Sequence, residues 1–256
     1  MDAQRLERLF DVSGRVAIVT GGSRGIGRAV AEGLAAGGAK VVVASRKEDA
    51  CRETQAHLES LGAEALAVPT HMGDMDGVAR LVDATVTRFG GVDIVINNGA
   101  TALALPMGEF TLDAWNKVFD VNMRGPVFLV QHALPYLKES SHPAVVNVIS
   151  VGAFMFAAAE AMYAAAKAAL LSFTRTMAAA YAPYGIRVNA LAPGTTDTDM
   201  VRNNGPEYVE RARHISLLRR MADADEMVGP TLFLVSEAAS YVTGQVLIVD
   251  GGLVAH

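Results

Sequence analysis

The chain has 256 residues and a formal net charge of -5, with 51% hydrophobic and 19% charged residues. This composition is typical of a globular protein with a large packed interior, and it argues against a disordered chain. The acidic balance argues against a nucleic-acid partner, and the single cysteine, Cys51, excludes a disulfide framework and a cysteine metal cluster.

The predicted elements alternate between strands and helices along the whole chain. Short runs rich in Val and Ile predict strands at 15–20, 40–44, 65–68, 92–96, 145–149, 186–191 and 246–249. Helices are predicted at 24–36, 47–61, 75–89, 111–137 and 224–236, with a further helix carrying Tyr163 to about residue 182. Thr111 predicts a helix cap, Pro126 predicts a kink or a junction of two helical segments, and residues 195–220 are predicted to be irregular. This alternation predicts an α/β fold with a doubly wound parallel sheet of about seven strands, in a single domain over residues 1–256.

A glycine-rich turn follows the first predicted strand and opens the first long helix. It reads Thr20-Gly21-Gly22-Ser23-Arg24-Gly25-Ile26-Gly27, with the glycine spacing G-x-x-x-G-x-G. We expect Gly21 to permit a tight bend, Gly25 to let the backbone approach a pyrophosphate, and Gly27 to let the helix pack against the strand. A plain strand-to-helix turn would need only one or two of these glycines, so the pattern favours a dinucleotide site.

The end of the second predicted strand bears on which dinucleotide is preferred. A carboxylate there would accept hydrogen bonds from the adenosine ribose and repel a 2'-phosphate. The chain instead reads Ala44-Ser45-Arg46-Lys47, and Arg46 together with Arg24 could bind a 2'-phosphate. The sequence therefore favours NADP(H), whereas Glu48 and Asp49 just beyond leave NAD(H) open.

Tyr163 and Lys167 are four residues apart in an alanine-rich segment and would share one helix face. Taken alone, they could be two surface residues of an amphipathic helix. A phenol with an ordinary pKa near ~10 is a poor proton donor at neutral pH, and a neighbouring positive charge is expected to lower the pKa of Tyr163. Other motifs follow strand ends, which meet at one edge of a parallel sheet: Thr20, Asn97, Ser150 and Pro193. The pattern therefore predicts acid/base chemistry beside a dinucleotide.

These motifs together resemble the short-chain dehydrogenase/reductase family, in its compact single-domain branch. The resemblance covers nearly the whole chain and rests on the glycine turn, Asn97-Asn98-Gly99-Ala100, Asn122, Ser150, Tyr163-x-x-x-Lys167, Pro193-Gly194 and Val249-Asp250-Gly251-Gly252. It implies a Rossmann fold and an NAD(P)-dependent oxidoreductase that reduces a ketone or oxidises the matching secondary alcohol. The 3-oxoacyl reductases are the most similar group within that family.

The resemblance also implies a role for each site residue. Tyr163 would be the acid/base, Ser150 would hold the substrate oxygen, and Lys167 would lower the pKa of Tyr163 and bind the nicotinamide ribose. Asn122 matches an asparagine that holds the lysine through a water; it could also bond backbone at a helix kink, and the two roles are compatible. The predicted cofactor-binding residues are Gly21, Ser23, Arg24, Gly25, Ile26, Gly27, Ser45, Arg46, Asn98, Tyr163, Lys167, Pro193, Gly194 and Thr198. No metal ligand set is predicted.

Two positions depart from the family pattern. The family usually reads Asn-Asn-Ala-Gly where this chain has Gly99 followed by Ala100, and the methyl group of Ala100 is expected to narrow the nicotinamide pocket. His71 stands where an Asp or Asn often touches the adenine, and it would bond or stack there or be exposed.

Three other functions are found on related folds, and each has a sequence pattern that differs from that of this chain. A nicotinamide-nucleotide-sensing binding protein without catalysis is the main alternative, but such proteins typically lack the Tyr or the Lys. Epimerases and dehydratases of the extended branch need a C-terminal substrate domain, for which the segment after Pro193 is too short. Enoyl reductases of related fold space the Tyr and Lys more widely, which disfavours double-bond reduction.

The expected partner is a small carbonyl or alcohol, with no nucleic acid and no membrane. Residues 102–107 and 152–159 predict apolar pocket walls, and an Arg-rich stretch would contact a phosphorylated or acyl-CoA substrate or form a solvated lid: Arg202, Arg211, Arg213, Arg219 and Arg220.

Apolar residues 127–134 and the Ala-rich helix at 157–182 predict helix pairing between copies, and the resemblance implies a homotetramer. Because no signal peptide and no span of about 18 apolar residues is found, a cytoplasmic protein is expected.

Overall fold

Seven parallel strands form one sheet in the computed structural model, which describes residues 2–156 and 158–254. The strands are β1 (Val16–Thr20), β2 (Lys40–Ser45), β3 (Ala65–Pro69), β4 (Ile94–Asn97), β5 (Ala144–Val148), β6 (Arg187–Pro193) and β7 (Val246–Val249), in the order β3-β2-β1-β4-β5-β6-β7. β1, β4 and β5 are buried along their whole length, which explains their continuous runs of Val and Ile. The predicted parallel sheet is confirmed.

Helices cover both faces of this sheet. They are α1 (Ala3–Leu9), α2 (Gly25–Ala36), α3 (Glu48–Ser60), α4 (Met75–Phe89), α5 (Leu112–Phe119), α6 (Gly125–Glu139), α7 (Ala161–Tyr181), α8 (Asp199–Arg202), α9 (Pro206–Ala212) and α10 (Val228–Val235). Side chains of α2, α3 and α10 pack in one apolar core, and side chains of α4, α6 and α7 pack in a second. Alternate strand residues, such as Val41 and Val42, enter different cores, so the two cores lie on opposite faces. The doubly wound prediction is confirmed.

The predicted helical segment 111–137 is divided by a π-helical turn, Asp120–Arg124, between α5 and α6. Pro126 is the second residue of α6, directly after this turn. Of the two predicted alternatives, a kink or a junction of two helical segments, the structure shows the junction. Thr111 caps α5, since its hydroxyl accepts a hydrogen bond from the N–H of Ala114 at 3.1 Å. The irregular turn therefore lies around Asn122, directly beside the region where the strands end.

The structure corrects the prediction at both ends of the chain. Residues 195–220 include α8 and α9 rather than being irregular throughout, and α9 begins with Pro206, a residue suited to the first turn of a helix. α1 was not predicted; its N-terminus is capped by Asp2, which accepts a hydrogen bond from the N–H of Arg5. None of the helices in the described residues is both long enough and apolar enough to cross a membrane.

Candidate active site

A cavity of about 560 Å³ lies at the carboxyl ends of the strands, as predicted for this type of sheet. Its wall includes residues one or two positions after the ends of β1, β4, β5 and β6, and the end residue of β2: Gly21, Asn98, Ser150, Gly194 and Ser45. We call this space the central cavity. Motifs that are far apart in the sequence thus line one site.

The glycine turn has a backbone that only glycine fits well at two positions. Gly21 has a φ of +64°, and a Cβ atom there would lie 2.7 Å from Nδ2 of Asn98. A Cβ atom on Gly27 would clash with the carbonyl oxygen of Gly21. The turn can therefore close tightly onto the start of α2, whose N-terminus has no side-chain cap. Uncapped amides at a helix N-terminus bind phosphate well, so this geometry fits the pyrophosphate of a dinucleotide.

We call the part of the central cavity beside the glycine turn and the end of β2 the adenosine end, after the predicted cofactor. The charged residues near it differ in their partners. Arg24 forms an ion pair with Asp199 at 3.3 Å across the cavity. Glu48 accepts hydrogen bonds from Arg52, with an Nη2 to Oε1 distance of 2.6 Å, and it does not line the cavity. Arg46 is exposed, lines the cavity and has no ion-pair partner among the described residues. The guanidinium of Arg46 is thus available to an anion.

His71 also lines the adenosine end, and it is exposed. Its Nδ1 accepts a hydrogen bond from the N–H of Gly73 at 3.0 Å. The neutral imidazole therefore carries its proton on Nε2, which makes the side chain a hydrogen-bond donor rather than the acceptor that an Asp would provide.

Tyr163 is half-buried on the cavity wall beside Ser150. Burial raises the pKa of Tyr163 to about 12, while a hydrogen bond from Ser150 acts in the opposite direction. The Ser150 hydroxyl also accepts a hydrogen bond from the N–H of Gly152 at 3.1 Å, which fixes its position. The two hydroxyl groups are therefore close together, with the phenol protonated at neutral pH.

Lys167 is buried, with 2% of its surface exposed, and its Nζ donates a hydrogen bond to the carbonyl oxygen of Val148 at 2.7 Å. Nζ lies 5.6 Å from the centre of the Tyr163 ring. Burial lowers the pKa of Lys167 to about 7. The expectation that Lys167 holds the pKa of Tyr163 below its ordinary value is therefore wrong for this arrangement, because the ammonium is not a fixed charge and burial of the phenol has the larger effect.

Asn122 lies in the π-helical turn and is completely buried. Its Oδ1 accepts from the N–H of Thr101 at 2.9 Å, and its Nδ2 donates to the carbonyl oxygen of Thr101 at 2.7 Å. Asn122 does not line the central cavity. Both ends of its amide are thus used to attach the loop after β4 to the turn, which confirms the interpretation of Asn122 as a residue that bonds backbone.

A buried chain of polar side chains beneath the site was not predicted. Nδ2 of Asn97 donates to Oδ1 of Asn147 at 2.8 Å, and Nδ2 of Asn147 donates to the hydroxyl of Thr174 at 2.9 Å. These hydrogen bonds connect β4 and β5 to α7, the helix that carries Tyr163. Buried amides need partners, so these contacts fix the position of α7 relative to the sheet. Asn147 within an otherwise apolar strand was the available signal in the sequence.

Gly99 and Ala100, which stand in the reverse of the usual family order, lie in different surroundings. A Cβ atom on Gly99 would lie 3.3 Å from the backbone nitrogen of Gly21, so the glycine lies against the phosphate-binding turn. Ala100 lines the central cavity, and the expected narrowing of the nicotinamide pocket stays a prediction.

Most of the predicted cofactor-binding residues line the central cavity, namely Gly21, Arg24, Gly25, Ile26, Ser45, Arg46, Asn98, Tyr163, Lys167, Pro193, Gly194 and Thr198. Ser23 and Gly27 do not, since both are buried within the turn. None of the five arginines between 202 and 220 lines it; Arg202 pairs with Asp197 and Arg220 with Glu226. The structure thus places this Arg-rich stretch outside the cavity.

The wall of the central cavity also includes Met155, Phe156, Glu160, Tyr208 and Leu253, and we call this part the substrate end, after the predicted reaction. Met155 and Phe156 lie in the predicted apolar wall, whereas Glu160, Tyr208 and Leu253 were not predicted. Tyr208 comes from α9 and Leu253 from the C-terminal segment, so only the folded chain brings them to Tyr163.

Comparison with known proteins agrees with this geometry. Residues 21–254 match a family model described as enoyl-(acyl carrier protein) reductase. The chain is 38% identical to a cis-4-hydroxycyclohexanecarboxylate dehydrogenase of Sinomonas cyclohexanicum, over 94% of this chain and 97% of that protein. It is 37% identical to a 3-oxoacyl-[acyl-carrier-protein] reductase of a Synechocystis species, over 95% of this chain and 98% of that protein.

Solved structures show the same fold. A blue fluorescent protein from a metagenomic library, in complex with NADPH, superposes with a TM-score of 0.90 and 33% sequence identity. The superposition covers 96% of this chain and 100% of that chain.

Proposed function

We propose that this chain, which belongs to the short-chain dehydrogenase/reductase family, is an NADP(H)-preferring oxidoreductase that reduces a ketone or oxidises the matching secondary alcohol. One observation carries this proposal: Ser150, Tyr163 and Lys167 line the same cavity as the phosphate-binding glycine turn. The site therefore offers a proton donor beside a position suited to a dinucleotide.

The proposed reaction assigns a task to each of these side chains. Tyr163 holds a proton on its phenol at neutral pH and gives that proton to the carbonyl oxygen during reduction, or takes it back during alcohol oxidation. Ser150, oriented by the N–H of Gly152, donates a hydrogen bond to the same oxygen. Lys167 supplies a buried amine next to Tyr163 and contributes positive charge when it is protonated.

The nicotinamide dinucleotide would be held by the glycine turn, the uncapped N-terminus of α2, and the segment at Pro193 and Gly194. When bound, it supplies or accepts the hydride. The family model's description names an enoyl reductase, but the four-residue spacing of Tyr163 and Lys167 supports carbonyl chemistry. The apolar substrate end and the Synechocystis relative support a 3-oxoacyl thioester as one substrate class.

Ketones, secondary alcohols and acyl thioesters, screened with both nicotinamide cofactors at fixed enzyme concentration, test this proposal. We expect cofactor oxidation with at least one ketone. The competing function is a nucleotide-sensing binding protein, which would bind NADP(H) and turn over none of these compounds.

The preference for NADP(H) depends on Arg46. We expect NADPH to bind more tightly than NADH, and Arg46→Ala to reduce this preference by about 1.5 to 3 kcal/mol, roughly ten- to a hundredfold. The guanidinium of Arg46 is free to bind a 2'-phosphate, whereas Arg24 is paired with Asp199. Calorimetric titration with each cofactor measures the preference. Lys47→Ala is the matched control, because Lys47 carries the same charge and does not line the cavity. Equal affinity of the wild type for the two cofactors would contradict this assignment.

We also propose that the protein forms a homotetramer through its helical faces. Leu112 and Trp115 of α5 and Phe173 of α7 are exposed large hydrophobic residues, with 79%, 44% and 38% of their surface accessible. Part of the expected surface lies in the core instead, since Leu129, Val130 and Ala133 are fully buried. Exposed apolar helix faces are suited to pairing across a two-fold axis. Sedimentation at micromolar concentration should show an oligomer, and a single species at 26.9 kDa would refute it.

A further inference from the structure

Glu160 is an acidic residue at the apolar substrate end of the central cavity. It is half-buried, lines the cavity, and occupies the N-cap position of α7, three residues before Tyr163. Its neighbours in the wall include Met155, Phe156 and Leu253, which offer no charge. A half-buried carboxylate beside apolar side chains can gain a charge-assisted hydrogen bond from a cationic group of a bound molecule.

The structure shows no cationic partner for Glu160 within the described residues. The side chain does not cap α7, and it takes part in no ion pair there. It lies close enough to two phenols to act on them: its charge raises the pKa of Tyr163 and also that of Tyr208, although burial is the largest cause in each case. Tyr163 and Tyr208 come from α7 and α9, and both line the central cavity together with Glu160.

Other ionisable side chains line the cavity, and their positions matter for its net charge. Arg24, Arg46 and Asp199 lie at the adenosine end, and Lys167 is buried behind Tyr163. Lys117 of α5 is exposed at the cavity wall and forms no ion pair with Glu160. Glu160 is therefore the carboxylate that a substrate meets next to Tyr163.

We propose that Glu160 is a specificity-determining residue that selects ketones or alcohols bearing a cationic amine and rejects those bearing a carboxylate. This inference rests on the proposed function of the same site. An amine placed near Glu160 gives the carboxylate its missing partner, and a substrate carboxylate there places two like charges in a poorly hydrated space.

Ketones that share one ring and differ in charge test the proposal: cyclohexanone, 4-(dimethylamino)cyclohexanone and 4-oxocyclohexanecarboxylate. We expect kcat/KM of the wild type to be at least about tenfold higher for the cationic ketone than for the anionic one. Glu160→Gln should reduce this ratio by about tenfold, and kcat/KM for neutral cyclohexanone, measured for each variant, is the reference to which the values for both charged ketones are normalised. Glu207→Gln is the matched control, since Glu207 lies on α9 beside Tyr208 and does not line the cavity.

Binding of the same ketones, measured by calorimetry, separates this inference from the proposed function. A charge preference in binding without turnover of any ketone would remove the proposed reaction and support the role of Glu160. Turnover with the same charge ratio in the wild type and in Glu160→Gln would overturn the inference alone. A wild-type preference for the anionic ketone, which Lys117 at the wall would favour, would also overturn it.

Discussion

Tyr163→Phe is expected to lower kcat by at least about a hundredfold and to leave the Kd for NADP(H) near its wild-type value. The change removes one hydroxyl group from the wall beside Ser150, and it leaves the glycine turn and Arg46 untouched. General acid/base catalysis requires the proton on that hydroxyl, because the phenol is the group placed to give it to the carbonyl oxygen. Steady-state kinetics with a ketone and titration with NADP(H) measure the two effects.

Tyr208→Phe is a suitable control for this variant. Tyr208 also lines the substrate end, so Tyr208→Phe removes a hydroxyl group from the same cavity. The hydroxyl group beside Ser150 is left in place. We expect the control to change KM more than kcat. If Tyr163→Phe kept a tenth of the wild-type kcat, the assignment of Tyr163 as the acid/base would fail.

Lys167→Met should lose turnover by at least about a hundredfold and weaken cofactor binding, because it removes the buried amine next to Tyr163. The same change should leave the free energy of unfolding at pH 7 unchanged or raise it. Met fills a similar volume, and the variant no longer buries an ammonium group. Lys117→Met, at the exposed cavity wall, is the control and should retain turnover.

The pH dependence of stability gives an independent test of Lys167. Its pKa is about 7 in the folded chain against an ordinary 10.5, so the unfolded chain binds more protons between these values. The free energy of unfolding is therefore expected to rise as the pH increases from about 7 towards 10. Lys167→Met should remove this part of the rise. Urea unfolding at pH 7 and pH 9.5 measures it, and an identical rise in the variant would show that Lys167 is not the group responsible.

The sequence was sufficient to predict the sheet and the edge of the sheet at which the site lies. Short Val- and Ile-rich runs separated by helices predict parallel strands, and each motif residue follows a strand end, which places it at one edge of the sheet. Gly21 and Gly27 were predicted for the correct reason, since the structure leaves no room for a side chain at either. These inferences succeed because local pattern and topology determine them.

Features that depend on packing could not be predicted in the same way. Burial of Lys167 and Tyr163 reverses the expected direction of the Tyr163 pKa, and burial is a property of the folded core. Pro126 predicted a kink or a junction within residues 111–137, but not the π-helical form of the turn at Asp120–Arg124 or the hydrogen bond of Asn122 with Thr101, which forms only in the folded chain. Glu160 and Tyr208 meet only when α9 packs over the cavity, so neither has a signal in the sequence.

Reduction of an α,β-unsaturated ketone with NADPH carrying deuterium at C4 of the nicotinamide tests the central claim most directly. Cyclohex-2-enone offers a carbonyl and a double bond in one molecule, and mass spectrometry with NMR locates the deuterium in the product. Since Tyr163 beside Ser150 is placed to protonate a carbonyl oxygen, we expect cyclohex-2-enol with deuterium on the carbinol carbon. Cyclohexanone with deuterium on the β-carbon would contradict the account and would show that the chain is an enoyl reductase.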